Sequence, residues 1–337
     1  MSDSANVDST VPQSVAQPSS DWDAFFKILS SSKCPGILTG AGLSAGSGIT
    51  TYRGTNGQWL TTNPMEVASI QAFKENPGRV WAYYHPKRDQ CIKAKPNAAH
   101  YALASLSLPS VRKRIFPNLM QQDKPPLYIT QNFDGLCRRA VDETLDKATL
   151  PEDRLDSDER EAVHARLIEM HGSCYRLLCT QCKCVKTTAE TPLAPIFKDD
   201  GVIERARKGE EIIPVDQLPR CGGPEWSGSN RYGRCGGLLR PGIVWFGEIP
   251  EGQGEITRIL TKVDVLLVVG TSNLVHPAAS YASTVKKNGG TVAVFNLGPS
   301  QGDDRADFAF YGPCEETIPK LLERMGAMNA DSVTKST

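Results

Sequence analysis

The chain carries no excess of charge of either sign: 38 lysines and arginines balance 38 aspartates and glutamates over 337 residues. A balanced chain exerts no broad electrostatic pull on nucleic acid or on an anionic membrane, so neither is expected as a direct partner. Long apolar runs are also missing. The most apolar stretch, Val263 to Gly270, is interrupted by Asp264. It falls far short of the roughly 20 residues that span a bilayer. Residues 1–20 contain no lysine or arginine and no apolar segment. That composition argues against a secretory signal and an Arg-rich transit peptide, and it predicts a disordered tail. Cytoplasmic or nuclear residence is the expectation; a mitochondrial one stays open without a transit peptide to support it. In a reducing compartment the ten cysteines are not expected to pair as disulfides.

What the chain does have is a cluster of glycines. Gly40, Gly42, Gly46, Gly48 and Gly54 fall within fifteen residues, directly after the apolar run Gly36-Ile37-Leu38. Gly40, Gly42 and Ala45 fit the G-x-G-x-x-G/A turn, in which a backbone free of side chains approaches a pyrophosphate at a helix N-terminus. Alone this pattern is weak, because glycines also mark ordinary turns. Two further stretches give it weight. Leu127-Tyr128-Ile129 reads as a buried strand and runs into Thr130-Gln131-Asn132-Phe133-Asp134. Leu167-Ile168-Glu169-Met170 reads as another and ends in His171-Gly172. Polar groups placed just past buried strands lie where α/β sheets bind ligands. A histidine there, with an unperturbed pKa of about 6.5, suits general-base chemistry. His100, within a helix capped by Asn97, reads as structural.

Strand and helix patterns alternate along the chain, with Val265 to Val269 and Thr291 to Phe295 as further apolar strands. The expected fold is α/β: a Rossmann-like doubly wound parallel sheet into which a helical module and a small zinc-binding module are inserted. The expected boundaries are a tail over 1–20, a nucleotide-binding domain over 21–53, 98–171 and 238–325, a helical module over 54–97, a zinc module over 172–237, and a second tail over 326–337. Cys179-x2-Cys182 is followed after 38 residues by Cys221 and after thirteen more by Cys235. Thiolate pairs in glycine-bearing turns suit tetrahedral zinc, and four thiolates would close the ion to substrate. The second pair is wider than the usual knuckle, which leaves the partner of Cys221 less fixed. Cys174 and Cys184 are spare candidates, Cys184 only as a competitor of Cys182.

Taken together these residues resemble the sirtuins, the NAD-dependent protein lysine deacylases. The pattern G-A-G-x-S-x-x-x-G-I-x-x-[FY]-R is met from Gly40 to Arg53, T-Q-N-x-D from Thr130 to Asp134, and H-G at His171-Gly172. The resemblance runs from about Asp21 to Glu323. Within the family the chain is similar to class III, the desuccinylase and demalonylase branch, through Leu218-Pro219-Arg220-Cys221, Cys235 to Pro241, Val244 to Glu248, and Gly312-Pro313-Cys314. That branch holds an acyl carboxylate with Y-x-x-R. Here the segment is Tyr84-His85-Pro86-Lys87, so lysine replaces arginine and the guanidinium fork is lost. Arg88, one residue on, is a candidate substitute. Cys137 stands where many members have histidine.

The resemblance implies NAD and zinc as cofactors and acyl-lysine proteins as substrates. His171 would act as general base on the cofactor ribose, and the products would be nicotinamide and an acylated ADP-ribose. Gly40, Ala41, Gly42, Ser44, Ala45, Gly48, Ile49, Tyr52 and Arg53 would form the pyrophosphate and ribose loop. Asn132 and Asp134 would line the nicotinamide pocket with Gln131 near the ribose, and Gly270, Thr271, Ser272, Asn296 and Cys314 the nucleoside side. Tyr84, Lys87, Val244, Phe246, Gly247 and Glu248 would meet the substrate, whose peptide would add as a strand beside Asn273-Leu274-Val275. Cys179, Cys182, Cys221 and Cys235 would hold the zinc. Three rival readings remain at this point: a hydride-transferring oxidoreductase, a non-catalytic zinc-bearing scaffold, and protein ADP-ribosyl transfer. The first expects an acidic ribose reader about twenty residues past the glycines. Glu66 alone is near that spacing, and it lies in helical sequence.

Overall fold

A computed structural model describes residues 17–52, 62–121, 124–222, 235–272, 274–300 and 303–334, the side chains of 304 and 327–334 excepted. Its strands are β1 Pro35–Thr39, β2 Leu127–Thr130, β3 Leu167–Glu169, β4 Gly172–Cys179, β5 Val185–Thr187, β6 Leu239–Ile243, β7 Val265–Val269, β8 Thr291–Asn296 and β9 Phe308–Tyr311. The helices that matter below are α1 Trp22–Ser31, α2 Ile70–Glu75, α3 Pro77–Lys93, α4 Ala98–Ser105 and α5 Leu136–Asp146. Three more follow: α6 Asp200–Lys208, α7 Gln253–Leu260 and α8 Cys314–Thr334.

Six strands form one sheet in the order β3-β2-β1-β7-β8-β9, and every neighbouring pair is parallel. All five residues of β1 and of β7 are buried, as a sheet covered on both faces requires. Successive side chains point to opposite faces. Ile37, Tyr128, Leu267 and Phe295 therefore pack on one side with Phe25 and Leu29 of α1. Leu38, Ile129, Val268 and Val294 pack on the other with Ile256 and Leu260 of α7. Asp21 starts α1 by accepting from the amides of Asp23 and Ala24, so the helix that covers the first face begins where the sequence placed it. Strand order runs outward in both directions from the β1–β7 pair. That pair is the switch point, where the crevice beyond the strand ends is left open for a ligand.

β4, β5 and β6 make a separate antiparallel sheet in the order β5-β4-β6. The segment after residue 238 was expected to return to the nucleotide-binding domain; instead Leu239 pairs with Cys179 and Arg240 with Leu178. The helical and zinc modules were expected as separate units, yet they share a core. Phe73, Trp81 and Tyr84 of α2 and α3 pack with Leu177, Phe197, Leu239 and Trp245, and the Trp81 indole donates to the Leu239 carbonyl at 2.9 Å. Burial of each such side chain contributes roughly 1.5–3 kcal/mol, so the two segments stabilise one another. The ends also differ from expectation. Ser19 bridges to Phe308 beside β9, inside the segment assigned to the first tail. The last helix, α8, runs past Gly326 to Thr334.

Candidate active site

The glycine loop leaves β1 as a short 3-10 helix, Ala41–Ser47, and the Gly270 loop leaves the adjacent β7. The two loops touch. A Cβ on Gly42 would lie 2.8 Å from the Gly270 Cα and 2.8 Å from its carbonyl oxygen, while Gly270 itself has φ +63°. Only glycine permits this approach at both positions. The result is a cleft of about 770 Å³ at the sheet's switch point.

Gly40, Ala41, Gly42, Ala45 and Tyr52 line it from the loop, with Gly270, Thr271, Ser272, Asn296 and Cys314 across from them. Gln131, Asn132 and His171 form its floor, and Tyr84, Val244, Phe246, Gly247 and Glu248 its outer wall. Gly48 and Ile49 close the turn without lining the cleft; Gly48, at φ +80°, accepts at its carbonyl from Gln90. Arg53 and Asn273 lie outside the described residues.

His171 is held in one orientation. Its Nδ1 is 2.9 Å from the Gln131 carbonyl oxygen. A carbonyl only accepts, so Nδ1 carries the proton and Nε2 keeps its lone pair. Burial lowers the His171 pKa, opposed by the bond to Gln131, so the ring is neutral at physiological pH. The arrangement supplies a proton acceptor at the cleft floor. Asn132 is fixed by donating from Nδ2 to the Gly40 carbonyl at 3.0 Å and to Ser44 Oγ at 3.1 Å.

Ser44 in turn donates to Asp134 Oδ2 at 2.7 Å. Ser44 and Asp134, both expected at the ligand, therefore sit behind the glycine loop and hold it in place. Burial raises the Asp134 pKa, against the opposing bonds from the Leu136 amide and Ser44. His100 closes this network. Its Nδ1 accepts from the Asn97 amide and its Nε2 lies 3.4 Å from Ser44 Oγ, the structural role read from its helical setting. Burial drives its pKa down to about 4.

On α3, Tyr84 lines the cleft, and Lys87 lies behind the neighbouring tyrosines with its Nζ 4.4 Å from the Tyr83 ring centre and 5.4 Å from that of Tyr52. Among the described residues no carboxylate pairs with it. Burial lowers its pKa to about 7. Arg88 cannot stand in for it. Its guanidinium donates to the carbonyls of Thr188 at 2.7 Å and Glu190 at 2.9 Å, and to that of Cys174. One residue of helix turns a side chain by about 100°, which aims the Arg88 guanidinium at carbonyls of the zinc module.

The Glu248 carboxylate is likewise committed. It accepts both terminal nitrogens of Arg240, at 2.7 and 2.8 Å, and the Trp245 amide at 2.8 Å, so it shapes the substrate loop instead of facing outward. Arg240 stacks on the Trp245 ring at 3.6 Å.

At the far end of the small sheet, the four sulfurs of Cys179, Cys182, Cys184 and Cys221 all lie within 4.8 Å of one another. Cys235, expected as a ligand, is outside that group, although its sulfur is 3.8 Å from that of Cys179. Cys184 is no mere competitor of Cys182: it stands 3.3 Å from Cys182 and 3.4 Å from Cys221. Lys183, at φ +61°, makes the tight turn that swings Cys184 back onto the cluster. A set of close, convergent thiols is the donor chemistry that zinc takes.

A Sir2 family model matches residues 40–149 and 144–277. The chain belongs to the Sir2 family. It is 35% identical over 320 residues to the mitochondrial NAD-dependent protein deacylase sirtuin-5 of Canis lupus familiaris, covering 94% of this chain and 90% of that one. It is also 35% identical to an NAD-dependent protein deacylase of Pyrococcus abyssi, covering 89% and 96%. Among solved structures, a Sir2 homolog in complex with NAD superimposes with a TM-score of 0.66 at 30% identity, covering 93% of this chain and 96% of that one. As a Sir2 protein the chain has two site features that sequence reasoning passed over. Phe133, the variable residue of T-Q-N-x-D, lines the cleft, and Glu315 at the start of α8 lies against Gly46. Neither carries a local signal, since each reaches the cleft only through packing. Among the described residues no helix is long and apolar enough to cross a membrane.

Proposed function

We propose that this protein is an NAD-dependent protein lysine deacylase that favours short acidic acyl groups, succinyl, malonyl and glutaryl, over acetyl. The observation that carries the deacylase reading is His171, half-buried at the floor of a cleft whose far wall is the glycine loop, with Nδ1 tied to a carbonyl and Nε2 open. Bound NAD would supply an electrophilic ribose carbon and nicotinamide as leaving group. Nε2 of His171 would take the proton of a ribose hydroxyl as that oxygen attacks the acyl carbon. Asn132 would hold the nicotinamide side in register through its bond to Gly40. Thr271 and Gln131, joined at 3.1 Å, would position the ribose, with Asn296 braced by the Thr271 carbonyl at 2.9 Å. Tyr84, Phe133 and Trp245 give the acyl-lysine an apolar, water-poor wall.

The acidic preference rests on Lys87, an amine desolvated against tyrosine faces with no carboxylate beside it among the described residues. An acyl carboxylate would supply the missing counter-charge. Acylated lysines of proteins would be the substrates, entering as extended peptide between the Phe246-Gly247-Glu248 loop and the segment at Val275, a β-augmentation. Turnover of matched acetyl-, malonyl-, succinyl- and glutaryl-lysine peptides with NAD, followed by mass spectrometry, tests both parts. Faster loss of acidic groups supports the full reading. Preference for acetyl removes Lys87 from the acyl pocket. Label from NAD retained on protein without deacylation would move the assignment to ADP-ribosyl transfer.

A further inference from the structure

The zinc module holds five sulfurs in reach of a position that takes four. A tetrahedral zinc with Zn–S bonds of about 2.3 Å sets its sulfurs about 3.8 Å apart. Cys182 and Cys221 stand at 3.8 Å, and Cys179 and Cys235 also stand at 3.8 Å, two edges of such a tetrahedron. Cys184 stands closer than an edge to two of these sulfurs, 3.3 Å from Cys182 and 3.4 Å from Cys221, and belongs to the mutually close group from which Cys235 is missing. Cys179, Cys182 and Cys221 are common to both sets.

Backbone bonds hold each competitor in place. The Cys179 amide donates to the Cys184 carbonyl at 3.0 Å, and the Gly236 amide donates to the Cys221 carbonyl at 2.7 Å beside Cys235. Gly237 has no room for a side chain, because its Cβ would meet the Cys179 sulfur at 2.7 Å, so the strand carrying Cys235 runs directly against the cluster. Cys184 and Cys235 are both partly exposed, as is the shared Cys182, whereas Cys179 and Cys221 are buried.

We infer that Cys184 and Cys235 share the fourth zinc position, exchanging as ligand, so that each zinc-loaded chain presents one reactive thiol divided between the two. In the exchange one Zn–S bond forms and one breaks. The incoming thiol gives up its proton and the departing thiolate takes one, so charge and oxidation state are unchanged. The reading is independent of the deacylase assignment, because zinc content and thiol reactivity are measured without turnover.

The test begins with the zinc-loaded wild-type chain, treated with N-ethylmaleimide and mapped by peptide mass spectrometry. Of the five thiols, Cys184 and Cys235 are expected to take up the label in both positions, together about one per chain, because alkylating either fixes the other on the metal. Label confined to one of the two overturns the exchange. Metal analysis of single variants follows. Cys184→Ser and Cys235→Ser are each expected to keep about one zinc per chain, while Cys179→Ser and the double variant Cys184→Ser/Cys235→Ser bind zinc at least ~100-fold more weakly. Zinc loss in Cys235→Ser as severe as in Cys179→Ser, or the same in Cys184→Ser, would show a fixed ligand and refute the proposal. If the double variant does not fold, the wild-type labelling pattern still decides.

Discussion

The acyl preference is open to a sharp test through pH, because Lys87 is the positive group assigned to the acyl carboxylate and burial lowers its pKa to about 7. The sign follows from which form binds. A carboxylate needs the ammonium, so recognition is present below the Lys87 pKa and is lost as pH rises through it. With that pKa, roughly 90% of the lysine is charged at pH 6 and roughly 3% at pH 8.5, a ~30-fold change in binding-competent enzyme. His171 also titrates, but it serves every acyl group alike, so the ratio of succinyl to acetyl kcat/KM removes its contribution.

The assay is that ratio from pH 6 to pH 8.5 on one peptide sequence. It is expected to fall by about tenfold or more, mainly through KM for the succinyl peptide. Lys87→Arg keeps its charge over the whole range and offers two parallel donors, so its ratio should be high and flat. Lys87→Met should be low and flat. A flat ratio in the wild-type enzyme, or an unchanged ratio in Lys87→Met, would falsify the assignment of Lys87 to the acyl carboxylate.

Three other outcomes are expected. His171→Ala should lower deacylation by at least ~100-fold while ADP-ribose still binds by calorimetry; because the His171 pKa is lowered, the acid limb of the wild-type kcat/KM profile should fall below pH 6.5, and a limb above it would contradict the burial. Arg88→Met strands the carbonyl of the buried Cys174 and leaves those of half-buried Thr188 and exposed Glu190 to water, so urea unfolding should show a loss of about 1–3 kcal/mol with the acyl preference unchanged. A shifted preference with intact stability would put Arg88 in the pocket after all. Gly42→Ala forces a methyl group to 2.8 Å from the Gly270 backbone and should cost about 1–3 kcal/mol while weakening NAD binding, measured by thermal shift with and without NAD; wild-type affinity would mean that the two loops can part.

Much of the site was legible because its motifs are contiguous and their chemistry is local. A glycine loop after a buried strand, T-Q-N-x-D and H-G after two others, and Cys179-x2-Cys182 each bring their polar atoms together through nearest-neighbour geometry, so the cleft, the presence of His171 in it and a thiol cluster could be read from the chain. The continuous apolar runs of the strands likewise pointed to a sheet buried on both faces.

What only the tertiary structure decided are the choices between adjacent residues and distant partners. Lys87 and Arg88 differ by one step of helical phase, and packing of α3 on the small sheet settled which one meets the tyrosines and which one binds carbonyls. Asp134 reads as a ligand group in sequence, whereas the fold sets its carboxylate on the Ser44 hydroxyl and neither residue lines the cleft. Cys184 and Cys235 are separated by the long stretch between the thiol pairs, and only the turn at Lys183 and the pairing of β4 with β6 bring both near Cys179. The same pairing moved β6 out of the large sheet. A strand's composition fixes that it will be buried; the partner that supplies its hydrogen bonds is fixed by the fold.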